Sequence, residues 1–163
     1  MSIRTVGALQ ELGVNLQSMF KLIFANQDLC KLIYYDTPDP LSGNTIVNPK
    51  VTLKDLVKVV PDIGPNETAQ TKLVLVVGSG EITTGNNQYQ TITMTMGVYT
   101  PLKSWIIKDA NLRPFKILGL LIETLDGKTV QGLGTIECQD FEISLLTTEV
   151  SCYNLTIRIT LNA

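Results

Sequence analysis

Three acids, Glu137, Asp140 and Glu142, fall close enough together for a carboxylate pair to share general acid–base work. They lie in "TIECQDFEISLL", whose apolar–polar alternation changes phase near Gln139 and Asp140. The plainer reading is a pair of solvated glutamates flanking a strand bulge. Lys103 and Ser104 could form a Ser–Lys pair, but neighbours in an extended segment point in opposite directions. Gly78, Ser79 and Gly80 follow an apolar run, as a dinucleotide fingerprint would. No third glycine follows at the required spacing and no helix opens, so no phosphate cradle is expected there. Gly132 and Gly134 read as a turn before a strand. The chain contains no histidine, which removes the commonest base and metal ligand, and no serine sits in G-x-S-x-G. Cys30, Cys138 and Cys152 lie far apart in sequence and make no zinc motif. No catalytic residue, cofactor site or metal site is expected.

Composition points the same way. Hydrophobic residues make up 44% of the 163 and charged residues only 17%, which leaves neutral or apolar surface and favours an assembled protein. The net charge of −2 and the dispersed Lys and Arg argue against binding driven by phosphate neutralisation. An odd cysteine count without CxxC fits buried, reduced thiols made in a cytoplasm. The N-terminus lacks the apolar core of a signal peptide, and no window approaches the ~18 apolar residues of a membrane span. A soluble, single-domain chain is expected over residues 1–163.

Periodicity supplies the elements. Leu9, Leu12, Leu16, Met19, Phe20 and Ile23 share one helical face. Asn26 interrupts that helix and is expected to cap a second turn, with Asp28 near its start and Leu29, Leu32 and Ile33 buried. Residues 36–72 carry loop chemistry ("DTPDPLSGN") and are expected to form a long ordered loop, with short strands near Val57 and Val60. "KLVLVV" and "NQYQTITMTMGVYT" are strands joined by a hairpin with an extended tip. In the second of them Ile92, Met94, Met96 and Val98 face one way, and Thr91, Thr93 and Thr95 the other.

Pro114 suits the first turn of a helix carrying Ile117, Leu118, Leu121, Ile122 and Leu125 and stopping at Gly127. A last hairpin follows, its second strand turning Tyr153, Leu155, Ile157, Ile159 and Leu161 inward. The fold class is α+β: a mainly antiparallel sheet with helices packed on one face. At the strand-to-helix corner, Trp105 has the apolar area to cover the sheet end beside Ile106 and Ile107, its indole N–H meeting a backbone acceptor. Arg113, held extended before Pro114, can reach a carboxylate or exposed carbonyls. A core tryptophan with a surface arginine is the equal alternative. Tyr34 and Tyr35 divide likewise between core-edge packing and partner contact.

Taken together, "LIFANQDLCKLIYYDTPDPLS", "TPLKSWIIKDANLRPFKILGLLIETLDGK" and "GLGTIECQDFEISL…YNLTIRI" resemble virion proteins of tailed bacteriophages, especially those of Gram-positive hosts. The set they resemble is the neck and tail terminator (head–tail joining, tail-completion) proteins. The resemblance covers the chain from about residue 16 onward and rests on Asn26, Gln27, Leu29, Cys30, Lys31, Leu32, Tyr34, Tyr35, Pro40, Leu41, Trp105, Leu112, Arg113, Pro114 and the turn at 132–134. Residues 42–70 match poorly, and "LLTTEVSC" lacks the glycine expected in the last hairpin turn.

The resemblance implies a non-enzymatic ring, a homohexamer, between tail tube or sheath protein and the neck connector. DNA would pass through its lumen without specific binding, with no membrane involved. The protein would be assembled in the host cytoplasm and reside in the virion. Gly78, Ser79, Gly80, Glu81, Ile82, Thr83, Thr84, Gly85, Asn86 and Asn87 are the expected contact to the stacked ring. Tyr34, Tyr35, Trp105 and Arg113 are the expected docking anchors at the subunit interface. A head-completion adaptor or sheath-associated neck protein is the alternative on the same fold, and a host-side binding module or minor enzyme the alternative of another class.

Overall fold

The computed structural model describes residues 8–59, 70–83 and 88–161. Helix α1 (Leu12–Ala25) buries Leu16, Met19, Phe20 and Ile23, the stripe that the three-and-four spacing predicts. Leu9 departs from it: it sits in a short 3-10 turn before the helix and is 43% exposed. The chain breaks at Asn26, whose side chain accepts a hydrogen bond from the Leu29 amide at 3.1 Å and so starts α2 (Gln27–Tyr34). The same side chain donates to Thr124 Oγ1 at 2.9 Å, which seats the elbow on a later helix.

The expected long loop is shorter than its composition suggests. It contains helix α3 (Pro49–Thr52) and a two-residue strand β1 (Val57–Lys58), which pairs parallel with Leu73 and Val74. Val60 lies outside the described residues. Two long hairpins follow: β2 (Lys72–Ile82) with β3 (Tyr89–Pro101), and β7 (Gly134–Leu146) with β8 (Val150–Thr160). Between them come a miniature hairpin, β4 (Ile106–Ile107) and β5 (Asn111–Leu112), helix α4 (Arg113–Leu125) and β6 (Thr129–Val130). The main sheet has the order β1-β2-β3-β8-β7-β6 and is antiparallel except at β1.

Helices cover one face of this sheet. Leu73 and Leu75, Ile92 to Val98 on alternate positions, Ile136, and Leu155, Ile157 and Ile159 point into it and are buried with the stripes of α1, α2 and α4. Each such side chain stabilises the fold by about 1.5–3 kcal/mol relative to exposure. The other face carries Thr91, Thr93, Thr95, Thr156 and Thr160, half-exposed as their alternation predicts. Glu137, Asp140 and Glu142 are all exposed, and the register slips between Cys138 and Asp140, so the bulge reading of these acids holds.

Glycine is required at the turn into β7. Gly132 has φ +80°, with Asn15 packed where a Cβ would stand, and Gly134 has φ +123° with Thr160 O as close. Asn15 Nδ2 donates to Gly132 O at 3.0 Å, and Tyr89 Oη to Leu133 O at 2.8 Å, so this turn is tied to α1 and β3. The final hairpin turn manages without the expected glycine. Thr147 Oγ1 accepts from the Val150 and Glu149 amides at 3.0 and 3.2 Å, building the turn from a hydroxyl.

Candidate functional site

Arg113 dominates the corner between β3 and α4. Its side chain is 1% exposed and donates to four carbonyls: Ser104 O at 2.8 Å, Leu32 O at 2.5 Å, Tyr35 O at 2.9 Å and Thr37 O at 2.8 Å. Two of these acceptors end α2, where the helix dipole favours a cation. Burial pushes the guanidinium pKa below its ordinary value, and the Asp36 carboxylate pulls it back up. Arginine nonetheless stays charged in proteins, so the corner holds a buried cation neutralised by oriented carbonyls. Arg113 is the first residue of α4 rather than an extended one. Leu112, the residue that caps the helix, is the extended one (φ −101°, ψ 118°), and Pro114 sits in the first turn, where its missing N–H would have no helical partner.

Trp105 is beside it: its carbonyl accepts from the Arg113 amide at 2.7 Å. The indole N–H donates to Ser151 Oγ at 2.8 Å, a side-chain hydroxyl rather than the backbone acceptor expected from sequence. Ile107 is buried as expected, but Ile106 is 71% exposed and covers nothing within the chain. Ser104 Oγ bonds Asp36 Oδ1, Lys103 Nζ reaches Asp36 Oδ2 at 3.7 Å, and the Lys108 amide donates to Pro38 O at 2.7 Å. Lys103 and Ser104 thus serve as clamps onto the segment after α2, not as a reacting pair.

Tyr35 belongs to the same corner. Its carbonyl is held by Arg113, its hydroxyl donates to Asn44 O at 2.9 Å, and its ring lies against Gly43 with no room for a Cβ. Tyr34 packs edge-on against it, 5.0 Å between centroids, and remains exposed. The structure therefore brings Tyr34, Tyr35, Trp105 and Arg113 together.

The residues expected to contact a stacked ring lie toward the other end of β3, roughly 25–40 Å along it at ~3.3 Å per residue. Ser79, Gly80, Glu81 and Ile82 are not tip residues. They pair with Thr93, Ile92, Thr91 and Tyr89, so the finger is a two-stranded ribbon. Thr83 N donates to Gln88 O at 2.8 Å, and Thr84, Gly85, Asn86 and Asn87 lie outside the described residues.

A third region had no distinct sequence signal. Trp105, Phe115, Phe141 and Tyr153 form an aromatic train with centroids 5.0–6.5 Å apart, within the favoured range for ring pairs. Beyond it α4 no longer covers the sheet, and Phe141, Ile143, Leu145 and Leu146 are exposed by 41–64%. A shallow cavity of about 340 Å³ lies beside Phe141, lined also by Ile122, Cys138, Gln139, Asp140 and Leu155. Phe141 and Ile143 alternate as in an ordinary half-buried strand, opposite Leu155 and Tyr153, while the slip after Ile143 turns Leu145 and Leu146 to different faces.

The thiols are quiet. Burial pushes Cys30 and Cys138 up to about 11 and raises Cys152 as well. Among the described residues no group of three or more His, Cys, Asp and Glu is placed to hold a metal ion, and no helix is long and apolar enough to cross a membrane.

The architecture defines an α+β protein whose prominent features are a sealed corner and an uncovered sheet end. The YomW family model matches residues 26–159, and the chain belongs to that family. Among solved structures it is similar to a chain of the "virion of native gene transfer agent (GTA) particle". That likeness runs over 99% of this chain and 100% of that one at 13% identity, with a TM-score of 0.53. It is one of fold. No curated protein matches.

Proposed function

We propose that this protein is a structural component of a phage-type virion. In this reading it assembles as a closed homohexameric ring at the head–tail junction, ending the tail and joining it to the neck while DNA passes through the opening. The observation that supports this most is the end-to-end likeness in fold to a virion chain, with almost nothing left over on either side. The exposed apolar strand end adds to it, since apolar patches of this kind mark surfaces that partners cover.

The corner residues Arg113 and Trp105 then act as bracing that holds the interface rigid. The far end of the β2–β3 ribbon, residues 78–87, is the proposed contact to the stacked ring of tail or neck protein. Light scattering of the purified protein, followed by negative-stain imaging with uncapped tail tubes, tests the reading. Closed rings or capped tails are expected. A chain that stays single at every concentration and leaves tubes uncapped overturns it. Shortening the ribbon by its last residues is expected to leave rings intact and abolish joining of tails to heads.

A further inference from the structure

We infer that copies of this chain join by continuing the main sheet, the outer edge of β7 in one copy pairing antiparallel with the outer edge of β2 in the next. This rests on the ring reading and names the surfaces that would make the ring. Both edges are open among the described residues. β1 pairs β2 only at Leu73 and Val74, leaving residues 75–82. On the other side, β6 and the Asp126 side chain occupy β7 only as far as Cys138, leaving residues 139–146. The two segments are equal in length. Neither "LVVGSGEI" nor "QDFEISLL" contains the lysine or proline with which monomeric proteins blunt an exposed edge.

Two further features select a second copy as the occupant. First, the strands between the open edges alternate in direction, β2, β3, β8, β7. A copy repeated in the same orientation therefore presents β2 antiparallel to the β7 it meets, as a head-to-tail ring requires.

Second, the edges are offset. Residues 140–146 lie level with 95–100 of β3, and 75–82 with 89–96. Closing a sheet on itself needs such stagger and strand tilt. The register slips at Val77/Ser79 and Ile143/Leu145 add the curvature.

Backbone direction identifies the decisive positions. The Leu73 amide donates outward to Leu56 O, so alternation turns the Val77 amide outward too. The Ile136 and Cys138 amides also point outward, opposite Ile159 and Ile157, which carries the outward amides to Phe141 and Ile143, opposite Leu155 and Tyr153. Val77→Pro and Ile143→Pro each remove one outward donor and leave the inner ladders intact.

The test is the mass in solution of the full chain, with circular dichroism to confirm the fold. Each variant alone is expected to run as a single chain. Their equimolar mixture is expected to stop at two chains, joined through the one intact edge of each. Either variant still forming rings overturns the edge assignment and leaves the ring reading standing, whereas a wild-type chain that never forms rings defeats the ring reading itself. Hydrogen exchange of the wild type across a dilution series reads the same surfaces without mutation. Amide protection at 75–82 and 139–146 is expected to rise together at least tenfold on assembly, and protection confined elsewhere overturns the proposal.

Discussion

The corner around Arg113 and the far half of β7 lie side by side, yet they solve opposite problems. In the corner every charged or polar atom of Arg113, Ser104 and the Trp105 indole meets a partner within the chain. Along β7 the backbone edge and four large apolar side chains are left to solvent. Satisfied polar networks rigidify a region, and open edges recruit another chain. The proposed ring would use both: an edge that is unfinished and a satisfied support beneath it.

The sharpest way to break that contrast is to empty the corner. Arg113→Ala leaves four carbonyls facing a void and is expected to cost about 3–5 kcal/mol in urea denaturation. Arg113→Lys is expected to recover only part of this, because one ammonium cannot span four acceptors set around a planar fork. A loss below 1 kcal/mol would show that the corner is packing rather than a clamp. Trp105→Phe keeps most of the apolar area and drops the bond to Ser151. About 1 kcal/mol is expected, and Ser151→Ala in the same background should add little, since the two share one interaction.

A gain is expected at the miniature hairpin. Asp109 and Ala110 both have positive φ, 61° and 57°, a conformation that costs an alanine roughly 1 kcal/mol. Ala110→Gly is therefore expected to raise the melting temperature by a few degrees. The smallest effect belongs to the open edge. Leu145→Ser or Leu146→Ser should change monomer stability by no more than about 0.5 kcal/mol, measured at concentrations where the chain is single. A large loss there would mean that these side chains serve the chain's own core.

Thiol chemistry offers a further check. With Cys30 and Cys138 pushed up to about 11, few thiolates exist at pH 8, and alkylation of the native protein is expected to be far slower than after unfolding. The same shift runs against stability in alkali. As pH climbs past the ordinary thiol value of 9.0 the unfolded chain ionises while the folded one stays protonated, so stability falls between about 9 and 11.

Much of the fold was legible because its signals are local. Alternation from Thr91 to Val98 and from Tyr153 to Ile159 fixed which face each strand buries. Asn26 announced the elbow, and Gly127, at φ +74°, the end of α4. The site was legible only as residue types. Arg113 was singled out at its corner, but its acceptors at Leu32, Tyr35 and Thr37 come from far back in the chain, and no spacing rule connects them. The parallel pairing of β1 was hidden for the same reason, since a two-residue strand carries no period to read. Leu9 followed the helical period and was still exposed, because the helix begins after it.

The elbow at Asn26 has one consequence for how this chain can vary. Its side chain starts α2 and grips α4 at once, so the phase of α2 is locked to the count of residues in α1. Adding a single residue just before it would turn the following helix by about 100°. The carbonyl lip that receives the guanidinium would swing away with it. Length in α1 is therefore held to the residue.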